Sequence, residues 1–399
     1  MRLSISKQTI FLIVFAINAL LYGVVYFFPL NDFGEPQIPK ILKIVYDLIL
    51  ISTVLLFGFK KKLNEVQIFG FAFLTIVLII GIFHIPHTSI TDYLHYTVRN
   101  VFFYSLFLFV DFFKNINFEK FQLFHEKLFK YILFFGLILF ILQKLGIKNP
   151  FGFNGWWMWE KNRLISTWLN PNSLGFYLIF YLFHFYFKKN KVSVFLGLIA
   201  ASIFLSGSLT AIVGLIFFIA FLGLKTLNSK KIKASYVLII LTFIPIFIYL
   251  IIRLGAFDYL LFKIDILFVQ KSKTYTSVST RLKNLIDLIN YFSIENLNSI
   301  AIGDFNTLQY RRLDSQYLNI FYNYGLIGLL SYFCFQVSII IELIKNPSNY
   351  SKAFIAFSLW LYIIAFNLTA YLYRANLVIF YFIMLALTMS LGRSKKVEF

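Results

Sequence analysis

Four arginines carry the clearest chemical signal in this chain. Arg163, Arg281, Arg311 and Arg312 stand in polar stretches beside apolar runs: "EKNRLISTWLNPNSLGFYL", "STRLKNLIDLINYF" and "RRLDSQYLNIFYNYGLIGLL". A guanidinium offers a planar fork of N–H donors that pairs with the oxygens of phosphate or pyrophosphate, which the point charge of Lys does not. Four such groups near helix ends fit an anionic, lipid-linked ligand. Each also has a plainer use. Arg163 beside Glu160 can form a surface ion pair worth ~0–1 kcal/mol. Arg311 and Arg312 can meet headgroup phosphates. Arg281 adjoins the apolar stripe Leu282, Leu285, Ile286, Ile289 and Phe292 of an amphipathic helix, where its guanidinium can run along a membrane face.

The remaining polar groups are more equivocal. Asn170 and Pro171 read as the N-cap and first position of a helix, and Asp314 or Ser315 can cap a later one. The run "NPFGFNGWWMWEKNR" holds Trp156 and Trp157, which suit either a belt at headgroup level or stacking on sugar rings. Asp47 and Arg99 fall inside apolar windows, as a structural ion pair or as the lining of a polar cavity. His84, His87 and His95 gather near Asp92 at a spacing that matches no zinc pattern, and His184 reads as a hydrogen-bonded residue of a bundle. No metal site and no cofactor are expected. The chain has no P-loop, no dinucleotide-binding glycine fingerprint and no Gly-x-Ser-x-Gly elbow. Its single cysteine, Cys334, excludes an internal disulfide and a cysteine-based metal centre.

The elements that must position these groups follow from composition. With 60% hydrophobic residues, 14% charged residues and a mean hydropathy of +0.78, the 399-residue chain has too little polar surface for a soluble globule. Apolar windows of roughly 17–22 residues match a hydrocarbon layer of about 30 Å, and the absence of ~10-residue alternation argues against a membrane barrel. The expected fold is an all-α polytopic bundle of about twelve transmembrane helices in one membrane domain, 1–399. The spans are expected near 9–30, 41–59, 66–83, 94–113, 128–145, 171–187, 191–206, 208–224, 234–252, 316–342, 351–369 and 372–391, and 9–30 reads as a retained first span. Short Lys-rich connections such as "FKKKLNE", "FKKNK" and "KTLNSKKIK" place both termini in the cytoplasm. A net charge of +20 scattered among these connections is a mark of orientation, and nucleic acid is not an expected partner. "FEKFQLFHEKLFK" alternates charged and apolar residues at helical spacing and is expected to lie flat at the interface. Two long segments fall on the outer side, 146–170 and a partly helical loop 253–315.

Several of these stretches occur in an order that resembles the O-antigen polymerase and ligase superfamily, over roughly residues 150–335. Arg163 ahead of Pro171 and Asn172, Ser206 to Ser208 opening a later span, Arg281 after a hydroxyl residue, and Asp314 before Gly325 and Gly328 stand where that family's motifs stand. The resemblance implies a metal-independent glycosyltransferase of the bacterial cytoplasmic membrane, active on its outer side. Its substrate would be an oligosaccharide linked to undecaprenyl pyrophosphate, with membrane lipid, a flippase and a chain-length regulator as further partners. Arg163 and Arg281 would stabilise the departing phosphate. Asp314 would act as base or position the acceptor, unless it only caps its helix. Asn172, Arg311, Arg312, Tyr317, Trp156 and Trp157 would contact substrate. Ligases of the superfamily carry a His in the large outer loop, and 253–315 contains none. That favours a polymerase of O-antigen, capsular or exopolysaccharide repeats over a ligase. A flippase would place its arginines between two related halves, and no internal repeat is visible.

Overall fold

In the computed structural model, every regular element among the described residues is a helix. The described residues are 7–20, 64–87, 118–147, 163–168, 171–228, 297–303, 315–369 and 375–394, with 90, 97, 101, 286 and 372 described singly. In chain order the helices are α1 (Lys7–Leu20), α2 (Glu65–His84), α3 (Phe118–Lys144), α4 (Pro171–Lys189), α5 (Val194–Ser206), α6 (Leu209–Asn228), α7 (Leu297–Ile302), α8 (Gln316–Lys345), α9 (Asn349–Leu368) and α10 (Ala375–Ser394). Of these, α2, α8 and α9 are long and apolar enough to cross a membrane, and α5, Leu209–Leu224 and Leu377–Met389 are shorter apolar helices. The expected spans 41–59 and 234–252 lie outside the described residues, as does nearly all of 94–113 and of the two long outer segments.

Helix α8 shows why the chain belongs in a bilayer. It exposes Leu326, Leu330, Val337, Ile341 and Ile344, spaced three to seven residues apart along one side. It buries Asn319, Asn323, Gln336 and Ser338. Such a helix is inverted relative to one facing water, and a lipid environment is the one in which this arrangement is favourable.

The contacts divide the chain into two units. One comprises 1–18, 39–124 and 277–399; the other comprises 19–38 and 125–276. In the first unit α8 packs on α2, with Phe73 set against Tyr332 (ring centroids 5.0 Å apart) and stacked on Phe335 (6.2 Å, 11°). Asn64 begins α2 with a reciprocal cap. Its Oδ1 accepts from Gln67 N, and Gln67 Oε1 accepts from Asn64 N, both at 2.9 Å. Ser315 caps α8, accepting from Leu318 N and donating to Phe366 O (3.0 Å). The cap that the sequence left open between Asp314 and Ser315 is therefore Ser315, and Asp314 lies outside the described residues.

Two departures from regular helix follow from packing. Helix α9 carries a π-helical stretch, Leu361–Ala365, and the Tyr317 hydroxyl donates to the Tyr362 carbonyl there (2.7 Å). Helix α8, expected as a span over 316–342, kinks at Gly325, whose φ of 62° and ψ of −164° favour glycine. The reason is α7: a Cβ at Gly325 would lie 2.3 Å from Ala301 O and 2.5 Å from Gly303 N. The glycine lets one backbone cross directly on another.

In the second unit α4 packs on α5 and α6. Helix α3 belongs to it from His125 onward. The stretch expected to lie flat at the interface before entering the membrane is the start of this single 27-residue helix, with Phe121 and His125 fully buried. His125 and Glu126 have partners on α4, as described below.

Gly325→Ala should destabilise the purified protein by about 1–3 kcal/mol from backbone strain alone, with the clash in addition. Gly197, in α5, has nothing within 4 Å of an added Cβ, so Gly197→Ala should leave stability unchanged or raise it by up to about 1 kcal/mol. Thermal unfolding in detergent measures both. Equal melting temperatures for the two variants would contradict the crossing at Gly325.

Candidate functional site

The segment 163–168 is not α-helical, with 163–165 irregular and Ser166–Trp168 a single 3-10 turn, yet residues 163 to 167 are all buried. Buried backbone groups that no helix satisfies need partners elsewhere in the protein or from water. Here the partners are identifiable. Leu164 N donates to Leu205 O (3.0 Å) at the end of α5. Ser166, at φ 52°, donates through Oγ to Ile132 O in α3, and Thr167 Oγ1 donates to Ala19 O (3.1 Å). Gly136 of α3 makes room: a Cβ there would come within 2.7 Å of the Ser166 Cβ.

Arg163 is 6% exposed, and its Nε donates to Ser206 O (2.8 Å). Arg163 is thus a buried guanidinium at the C-terminal end of α5, where the helix dipole favours a cation, and Glu160, the partner considered from sequence, lies outside the described residues. Helix α5 stops there because Gly207 takes the left-handed conformation (φ 58°, ψ 23°) and returns its N–H to Phe204 O (2.8 Å). The chain then turns straight into α6. Ser208 Oγ faces Ala211 N (3.5 Å) and donates to Asn172 Oδ1 (2.9 Å) in the first turn of α4. Gly175 allows that approach, because a Cβ would lie 2.6 Å from the Ala211 Cβ.

Three sequence-predicted pieces therefore meet in one place: Arg163, the Pro171–Asn172 helix start and the Ser206–Ser208 turn. Two helix N-termini, those of α4 and α6, adjoin there, and the positive end of a helix dipole favours anions. The arrangement can hold an anionic group beside a fixed guanidinium. Arg281, Asp314, Arg311, Arg312, Trp156 and Trp157 lie outside the described residues, as do Asp47, Arg99, His95 and Asp92. Tyr317 is described, and its hydroxyl is directed to Gln336 Oε1 (3.1 Å) and Tyr362 O within the first unit. His84 Nε2 lies 3.1 Å from Ile302 O.

Sequence reasoning missed a second polar centre in the same unit. His184 Nε2 lies 2.9 Å from Glu126 Oε1, and Lys188 Nζ reaches both oxygens of Glu126 at 2.7 and 2.8 Å. His125 Nδ1 lies 3.0 Å from the Tyr181 hydroxyl. His184 is thus hydrogen-bonded, as expected, but to a buried carboxylate. The available signal was the spacing of Tyr181, His184 and Lys188, which share one face of α4.

No protein-family model matches this chain, and no curated protein matches it.

The Ser208–Asn172 contact should be measurable as a coupling. Ser208→Ala removes both the cap and the cross-helix bond and should cost about 1 kcal/mol. Once it is made, adding Asn172→Ala should cost markedly less than Asn172→Ala does alone. Thermal unfolding of the two single variants and the double variant checks this; strictly additive losses would contradict the contact.

Proposed function

We propose that this protein polymerises lipid-linked oligosaccharide repeat units at the outer side of the bacterial cytoplasmic membrane, as a bundle of about twelve spans. It transfers the growing glycan from undecaprenyl pyrophosphate to a hydroxyl of the next lipid-linked repeat. The observation that carries this reading is the buried Arg163, fixed by a backbone carbonyl beside the N-termini of α4 and α6, at the residues that resemble the polymerase and ligase superfamily.

The chemistry asks little beyond electrostatics and positioning. The acceptor oxygen attacks the anomeric carbon while the bond from that carbon to the phosphate oxygen breaks. The acceptor proton leaves to a base or to solvent, and the lipid pyrophosphate departs with the bonding electrons. Charge builds on the departing oxygen, so a guanidinium already in place lowers the barrier without reorganising. Arg163 fills that role. The roles given to Arg281 in phosphate stabilisation and to Asp314 toward the acceptor rest on the resemblance alone. The outward orientation draws support from α4, whose other end carries Lys188 and Lys189, the residues expected to face the cytoplasm.

The test is a glycan profile. A strain lacking the gene should lose polymer and retain single repeats, and the wild-type gene should restore the polymer. Arg163→Lys keeps the charge and loses the fork, so it should fail to restore polymer at wild-type membrane abundance. Retained polymer in the deletion strain would overturn the reading. Polymer that accumulates without transfer to its final acceptor would mark a ligase, and loss of outward single repeats would mark a flippase.

A further inference from the structure

The polar centre between α3 and α4 has no place in the reaction above. It lies some twelve residues along α4 from Asn172, or about 18 Å at 1.5 Å per residue. One ring nitrogen each from His125 and His184 and a carboxylate oxygen of Glu126 lie within 4.8 Å of one another, and all three residues are buried. Two imidazoles and a carboxylate form a donor set suited to first-row divalent metals, zinc among them.

The surroundings bear this out. Tetrahedral zinc, with bonds of 2.0–2.1 Å, holds neighbouring ligand atoms about 3.3 Å apart. The His184 Nε2 to Glu126 Oε1 separation is already 2.9 Å. The Tyr181 hydroxyl faces the His125 carbonyl (3.3 Å), so its oxygen can accept from Nδ1–H of the same residue. In the tautomer protonated at Nδ1, Nε2 carries the lone pair that a metal would take, with Tyr181 as the outer partner of the ring. Phe129 stacks on Tyr181 (3.9 Å, 12°) and Phe180 on His184 (6.0 Å, 10°), so apolar rings pack directly against the polar residues. Lys188 is the competitor. Its ammonium holds the carboxylate, but its side chain is 34% exposed against 9% for Glu126, so it has a route to solvent when a cation takes its place.

The geometry points to a metal site formed by His125, Glu126 and His184, which binds one divalent transition-metal ion, zinc in the first instance, and ties α3 to α4. Binding displaces Lys188, which keeps its proton and moves outward. The site is separate from Arg163 and leaves the proposed transfer reaction metal-free.

The test uses the purified, tag-free full chain in detergent, loaded with zinc chloride and desalted, with metal measured by mass spectrometry. About one zinc per chain is expected for the wild type. His184→Ala should lower retention at least about tenfold. Cobalt chloride gives a second readout on the wild type alone, because a four-coordinate site yields intense visible absorption bands that zinc then bleaches. Lys188→Met separates a metal site from a mere ion pair: removal of the competitor should tighten zinc binding severalfold. A folded wild type that retains no zinc and shows no cobalt bands would overturn the proposal. So would zinc binding equal in the wild type and the folded His184→Ala variant, or weaker in Lys188→Met.

Discussion

Every part of this structure answers to one constraint: where little water is available, a backbone N–H or C=O that leaves its helix must find a partner inside the protein. The chain leaves regular helix at 163–168, at Gly207, at Gly325 and at the π-helical stretch of α9. At the first two and the last of these a specific hydrogen-bond partner appears, and at Gly325 the backbone of α7 crosses directly. Leu205 and Ser206 carbonyls receive Leu164 N and Arg163 Nε, Ile132 O receives Ser166, and Tyr362 and Phe366 carbonyls receive Tyr317 and Ser315. A polar side chain committed to a freed carbonyl is held more rigidly than one on a surface loop. This is how the fold holds the Arg163 guanidinium in position.

Glycine and serine do the complementary work. Gly136, Gly175 and Gly325 stand where a Cβ would meet another segment at 2.7, 2.6 and 2.3 Å, so they set the approach of Ser166, α6 and α7 respectively. Small residues at helix crossings are the usual means of close approach in membranes, where burial of apolar surface gives no drive. Serines supply the caps: Ser193, Ser208, Ser315 and Ser348 each stand directly ahead of a helix, and Ser208 also lies at the Gly175 crossing. The packing that shapes the candidate site is thus continuous with the packing that ends and begins its helices.

How much of this was legible in the sequence depends on the period of the signal. Long apolar runs marked α2, α8 and α9 to within a few residues, because twenty residues of lipid-facing helix leave an unmistakable composition. Pro171 and Asn172 marked the start of α4 for the same local reason that they form it. The kink at Gly325 was not legible, since glycine in an apolar helix is common and only the crossing of α7 makes it obligatory. The burial of Arg163 was also hidden, because "NRLISTW" has no periodicity and its partners come from segments 30 to 150 residues away. The His125, Glu126, His184 and Lys188 group was obscured by the strong interfacial pattern of "FEKFQLFHEKLFK", in which the buried polar residues resemble solvated ones. Tertiary pairing decides such cases, and one helix's pattern does not contain it.

The central claim is that Arg163, set beside the N-termini of α4 and α6, holds the pyrophosphate of a lipid-linked substrate. Native mass spectrometry of the purified protein with undecaprenyl pyrophosphate measures that binding without reference to turnover. The account predicts one bound lipid pyrophosphate on the wild type, displaced by inorganic pyrophosphate, and retention weakened about tenfold or more in a folded Arg163→Lys protein. Equal retention by the two proteins would contradict it.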